Sequence, residues 1–195
     1  MRREWNPALL HFVIFPVGIG SKTVINLKTM LKDNLEVSVI IPAYNEAEVI
    51  ATVITQIKAA LDESDRAYEI LVIDDGCTDE TAARAKAAGA HVLQHAYNIG
   101  NGAAIKTGIR NARGEIIVML DADGQHPPED ISRLLEKMGR YDMIVGARTS
   151  ASDTDIHRNV ANQIYNWLAS YISGQKIEDL TSGFRAIKTN VARGF

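Results

Sequence analysis

Five short apolar runs, VSVII (Val37–Ile41), EILVI (Glu69–Ile73), AHVLQ (Ala90–Gln94), EIIVML (Glu115–Leu120) and DMIVGA (Asp142–Ala147), alternate with segments of helical periodicity. This alternation constrains the fold more than any other feature. Continuous rather than every-other-residue apolarity is what a strand covered on both faces requires. The segments between them, Glu46–Leu61, Asp79–Ala88, Ala103–Ala112 and Glu129–Arg140, are patterned as helices. Asp79 or Thr78 suits the cap of the second, and Pro127 and Pro128 the entry to the fourth, where a missing N–H costs nothing. The expected class is therefore α/β, a mainly parallel central sheet with helices on both faces. Asn159–Ser173 adds an amphipathic helical pattern and Phe184–Lys188 a short strand.

The chain has 195 residues, 46% of them hydrophobic, enough for one domain with a substantial core. A net charge of -3 with scattered Lys and Arg argues against a nucleic-acid surface. A single cysteine, Cys77, rules out an internal disulfide and suits a reducing, cytoplasmic compartment. The first 35 residues form an extension of unclear structure. Its apolar part, Ala8–Gly20, is interrupted by His11 and Pro16 and is shorter than the ~20 residues of a bilayer span. It reads as an arm packed on the surface, with contact to a lipid interface as the alternative.

In parallel sheets ligands lie beyond the carboxyl ends of the strands, so polar residues directly after each run are the ones to inspect. PAYNEAE (Pro42–Glu48) follows the first run, DDGCTDET (Asp74–Thr81) the second and HAYNIGNGAAIKTG (His95–Gly108) the third. DADGQ (Asp121–Gln125) follows the fourth and ARTS (Ala147–Ser150) the fifth. Asp121 and Asp123, two apart on extended backbone, point the same way. Two carboxylates that close resist joint ionisation unless a cation lies near. Mg²⁺ or Mn²⁺ suits such a pair, because it takes few protein ligands beside water and substrate phosphates. Gln125 is a further ligand or orients a bound water. The competing reading is a turn leading into the prolines. Tyr44 offers a flat face to a base, Glu46 an acceptor, and the acids after the second run an acceptor for ribose or base. The Gly100-x-Gly102 pair lacks the third fingerprint glycine, Ile105 standing in its place, and fits a tight loop as well as a phosphate contact.

With IPAYNE, DDGCTDET, NIGNGAAIKTG, LDADGQHPPED, VGAR and TSGFRAI in this order, the chain resembles family 2 glycosyltransferases of the GT-A fold. More narrowly it looks like dolichyl-phosphate mannosyltransferases and bacterial polyprenyl-phosphate glucosyltransferases. The resemblance spans roughly Val37–Lys188 and implies a transferase domain over residues 36–195, cut short at its C-terminus. It implies that Pro42, Tyr44 and Glu46 hold the base, that Ile73 and Asp75 line base and ribose, and that Asp121, Ala122 and Asp123 form the metal and diphosphate motif. Gln125 would join the metal, Arg148 would face phosphate near the reacting centre, and Arg158 and Arg185 would take the acceptor phosphate. For Arg158 a surface charge, and for Arg185 an ion pair with Asp179, are the alternatives. Cys77 stands where Ser is usual, Asn101 where Lys is common, and Asn162 where a small hydroxyl residue is frequent.

The implied reaction is inverting, metal-dependent transfer of a sugar from a GDP-mannose or UDP-glucose type donor to a polyprenyl or dolichyl phosphate, at the cytoplasmic face of a membrane. A phosphate acceptor is already anionic and needs no strong base, which accords with motifs lacking a catalytic histidine; His126 reads as shaping its loop. A saccharide hydroxyl acceptor would need a base, and Asp179 is the candidate. A dinucleotide-dependent oxidoreductase, a nucleotidyltransferase and a non-catalytic sugar-nucleotide binder remain as other readings.

Overall fold

The computed structural model describes residues 12–14, 35–64, 66–124, 127, 130–146 and 183–194. Among the described residues seven strands form one sheet: β1 (Phe12–Ile14), β2 (Val37–Ala43), β3 (Tyr68–Asp74), β4 (His91–Gln94), β5 (Ile116–Met119), β6 (Met143–Gly146) and β7 (Arg185–Lys188), in the order β1-β6-β7-β5-β2-β3-β4. β2 pairs in parallel with β3 and β5, and β3 with β4. β7 lies antiparallel between β5 and β6, so β6 runs with the parallel set. The sheet is thus mainly parallel, as expected. Part of the segment expected as an extension, Phe12–Ile14, pairs antiparallel with β6 at the sheet's edge.

Among the described residues the helices are α1 (Ile50–Asp62), α2 (Thr81–Ala87), α3 (Asn101–Asn111), α4 (Asp130–Lys137) and α5 (Thr189–Ala192). α1 begins four residues later than its periodicity suggests, at Ile50 rather than Glu46. Ahead of it, the amides of Glu46 and Ala47 donate to Thr81 Oγ1 and Asp79 Oδ2 across the neighbouring loop. At α2 the capping acceptor is Asp79, whose Oδ1 takes the Thr81 amide at 3.0 Å. Thr78 instead gives its amide to Asn45 Oδ1.

Strand residues alternate between two cores. Val37, Val39 and Ile41 of β2 pack with Ile50, Ile54 and Ile57 of α1 and with Ile131 and Leu134 of α4. Ile40, Leu71, Ile73 and Ile117 face the other way, onto Ala104 of α3. Each such fully buried side chain contributes about 1.5–3 kcal/mol. α3 approaches the sheet closely because Gly108 has no side chain: a Cβ there would overlap Ile40. The strand ends beyond these cores are consequently rigid supports for the loops that follow.

Candidate functional site

The loops after β2 and β3 are tied to each other before any ligand is considered. Asn45, with φ of 56°, turns its Oδ1 to the Thr78 amide at 2.8 Å. Its own amide donates to Cys77 Sγ at 3.2 Å, and the thiol donates onward to the Ala43 carbonyl. Asp74, almost wholly buried, accepts from the Cys77 amide and the Gln94 side chain. Burial pushes the Asp74 carboxyl up, but these hydrogen bonds outweigh it and hold the group below its usual value. Cys77 is therefore a linker between loops, filling the role a serine hydroxyl would fill.

Around these loops opens a cavity of about 230 Å³, lined by Pro42, Tyr44, Glu46, Asp75, Asp121 and Asp123 among others. Four separate loops thus converge at the carboxyl edge of the sheet. Tyr44 keeps a face open to solvent, 47% exposed. Glu46 is pushed up from its ordinary pKa, first by burial and then by the charges of Asp123 and Asp79. Among the described residues the charges acting on Glu46 are thus like charges. A larger cavity, about 630 Å³, lies at the opposite end, where β3 and β4 begin, lined by Tyr68, Glu69, His91 and Arg113. It holds none of the strand-end acids, and the parallel-sheet rule favours the smaller one.

Asp121 is set by a distant part of the chain. Gly183, just before β7, lies so close that a Cβ on it would overlap the Asp121 carboxylate. Asp123 is exposed on the following turn. The donor set is hard oxygen and suits Mg²⁺ or Mn²⁺, and it is incomplete by itself. Among the described residues no group of three His, Cys, Asp or Glu is arranged to hold a metal. An ion that keeps several sites for water and diphosphate needs no more than a carboxylate pair from the protein.

The expected residues divide into four groups. Pro42, Tyr44, Glu46, Asp75, Asp121, Ala122 and Asp123 come together around the cavity. The side chain of Ile73 is wholly buried in the α3-side core and is not among the residues that line the cavity. Strand alternation explains this, since Ile73 shares the face of Leu71. Arg185 stands opposite Met119 and Val145, at the end of the sheet where the cavity opens. Gln125, Arg148, Arg158 and Asp179 lie outside the described residues, as do His126 and the helical pattern 159–173. The loop Asn98–Asn101 also lines the cavity. Its signal was the glycine pair, which the missing third glycine obscured. Gly100, with φ of 97°, makes the turn into α3, whereas the glycine needed for close helix packing is Gly108.

The family model for glycosyl transferase family 2 matches residues 38–193, the whole of this framework from β2 to the end of α5. The chain belongs to that family. Among its relatives is the undecaprenyl-phosphate 4-deoxy-4-formamido-L-arabinose transferase of Sodalis glossinidius, 34% identical over 163 residues. The protein of the same name from Klebsiella pneumoniae is 36% identical over 163 residues. In both cases the match covers 80% of this chain and 50% of the relative, so the chain spans about half the length of these relatives. Glucosyl-3-phosphoglycerate synthase from Mycobacterium tuberculosis, in complex with Mn²⁺, UDP-glucose and glycerol 3-phosphate, superposes with a TM-score of 0.66 at 26% identity. That alignment covers 80% of this chain and 57% of the synthase. Mannosyl-3-phosphoglycerate synthase from Rubrobacter xylanophilus aligns with a TM-score of 0.67 at 21% identity, over 80% of this chain and 54% of that one. The fold of this family 2 domain is GT-A.

Proposed function

We propose that this domain binds a nucleoside diphosphate sugar of the UDP type, with a divalent ion, and passes its sugar to a polyprenyl phosphate. The observation that carries the reading is the convergence of Tyr44, Glu46, Asp75, Asp121 and Asp123 on one cavity. Relatives named as undecaprenyl-phosphate transferases support the acceptor, and a structural neighbour solved with Mn²⁺ and UDP-glucose supports the donor. Such an acceptor would bring the rim to the cytoplasmic face of a membrane; among the described residues no helix is long and apolar enough to cross one.

Tyr44 offers its exposed ring to the base, and Asp75 an acceptor to base or ribose. Asp121 and Asp123 would hold the ion, which when bound would supply positive charge against the leaving diphosphate. The acceptor phosphate oxygen forms a bond to the anomeric carbon as the bond from that carbon to the diphosphate breaks. The configuration inverts, and the nucleoside diphosphate leaves with the electron pair. No proton need be removed from an acceptor that is already anionic. Arg148 on the donor phosphates, and Arg158 and Arg185 on the acceptor phosphate, complete the proposal.

The first test is calorimetric titration of UDP in the presence of Mn²⁺. The wild-type protein should bind, and Asp123→Ala should lose more than roughly tenfold in affinity, about 1.4 kcal/mol, with an unchanged circular dichroism spectrum. Equal affinity in the two proteins would remove the carboxylate pair from the site. A hydroxyl acceptor, with Asp179 as base, is the second reading, favoured by the 3-phosphoglycerate synthases among the structural neighbours. UDP release from UDP-glucose stimulated by undecaprenyl phosphate but not by 3-phosphoglycerate decides between them.

A further inference from the structure

His95, the first residue after β4, is largely enclosed beside the site without lining it. Its side chain is 12% exposed, and its Nδ1 lies 2.7 Å from Asp75 Oδ1. Its Nε2 lies 2.9 Å from the hydroxyl of Thr107 on α3. Asp75, 5% exposed in its side chain, also accepts the Ile99 amide on Oδ1 at 3.1 Å and the Gly100 amide on Oδ2 at 2.8 Å. Burial raises this carboxyl, but the bonds from His95, Ile99 and Gly100 outweigh it and keep the group below its usual value. An ionised carboxylate only accepts, so Nδ1 carries a hydrogen, and in a neutral ring Nε2 accepts from the Thr107 hydroxyl.

A carboxylate has about four lone-pair positions, and three of these are filled, leaving one on Oδ2. The direction of that last position is set by the other three bonds. Those same bonds anchor the loop Asn98–Asn101, which forms one wall of the cavity. The neighbouring Gly76, with φ of 74°, lets the main chain of Tyr97 and Asn98 pass directly over it; a Cβ would come 2.5 Å from the Asn98 nitrogen. Thr107 thus fixes His95, His95 fixes Asp75, and Asp75 fixes the wall.

We infer that His95 is a positioning residue for the nucleoside half of the donor: it aims the free lone pair of Asp75 and holds the Asn98–Asn101 wall, without touching the donor. The inference rests on the nucleotide-sugar reading above. A histidine that merely fills space predicts something different, since volume rather than its N–H would then matter.

Two substitutions separate these roles. His95→Phe keeps the ring volume and removes the donor, whereas His95→Asn places an amide N–H where Nδ1 stood. Affinity for UDP with Mn²⁺ should fall roughly tenfold in His95→Phe, the size of one lost hydrogen bond to a charged group, and stay within about threefold in His95→Asn. Hydrogen exchange at the Ile99 and Gly100 amides should quicken in the first variant and not in the second. Should His95→Phe fail to fold, Thr107→Val removes only the hydroxyl, and UDP affinity should drop by roughly threefold or more. Wild-type protein that binds UDP, with variants that bind as tightly and protect both amides equally, overturns the inference alone. Wild-type protein that binds no nucleoside diphosphate overturns the reading beneath it and the inference together.

Discussion

Cys77 shows how a single side chain is assigned by its surroundings. The sequence presents it as a small replacement for serine beside two acids. In the fold its sulfur accepts from Asn45 and donates to Ala43, joining the loops that carry Tyr44 and Asp75. Burial, followed by the neighbouring Asp74 carboxylate, pushes its pKa up to about 11. The thiolate is the reactive form, so very little of it exists at neutral pH. Cys77 is therefore expected to react slowly with a disulfide reagent at pH 8 in the native protein and at the ordinary cysteine rate in denaturant. Equal rates in both states would show that the sulfur is not held in this link.

At the scale of elements, the ends opposite the site are latched by a polar cluster in which Ser38 and Glu69 are buried and Arg113 is exposed. Ser38 of β2 donates to Glu69 of β3 at 2.7 Å and receives the Gly114 amide at 2.8 Å. Glu69 in turn accepts from the Arg113 side chain at 2.7 Å and the Arg113 amide at 2.8 Å. The turn from α3 into β5 is thereby fastened to two central strands. Burial raises the Glu69 carboxyl, but the bonds from Arg113 and Ser38 outweigh it and lower the pKa overall. A carboxyl whose folded pKa lies below its unfolded one adds stability above the unfolded value, about 4.3 for Glu, and loses it as the pH falls through the folded one. Asp74 and Asp75 act in the same direction. Melting temperature should accordingly fall on acidification from about pH 5 to 3. Glu69→Gln should melt lower at pH 7 and show a shallower acid dependence, checked by circular dichroism melts across that range. A Glu69→Gln profile parallel to that of the wild type would exclude the latch. Ser38→Ala, which strands the Gly114 amide and takes one bond from Glu69, should cost about 1–3 kcal/mol at pH 7.

At the scale of the whole molecule, the decisive feature is the path of β7. It enters antiparallel between β5 and β6, so residues more than sixty positions beyond the acid pair return to the end of β5. Gly183 arrives against Asp121 and Arg185 opposite Met119. Gly183→Ala should leave the fold largely intact, because the overlap falls on the end of a side chain that can swing. The swing moves the Asp121 carboxylate from its place, and affinity for UDP with Mn²⁺ should fall roughly tenfold or more. Titration calorimetry beside a thermal melt reads both quantities. Unchanged affinity would mean that the approach of Gly183 does not hold Asp121.

The strands, the helices and the edge on which the acids gather follow from the sequence by itself, because each depends on local periodicity and on the turn that ends a run. The placing of Asp121, Asp123, Tyr44 and Glu46 on that edge was legible for that reason. The direction of β7, the pairing of Phe12–Ile14 with β6, the burial of Ile73 and the His95–Asp75–Thr107 chain were decided by tertiary structure. These are contacts between segments distant in sequence, and a hydrogen bond or a close approach across the fold leaves no periodic trace along the chain.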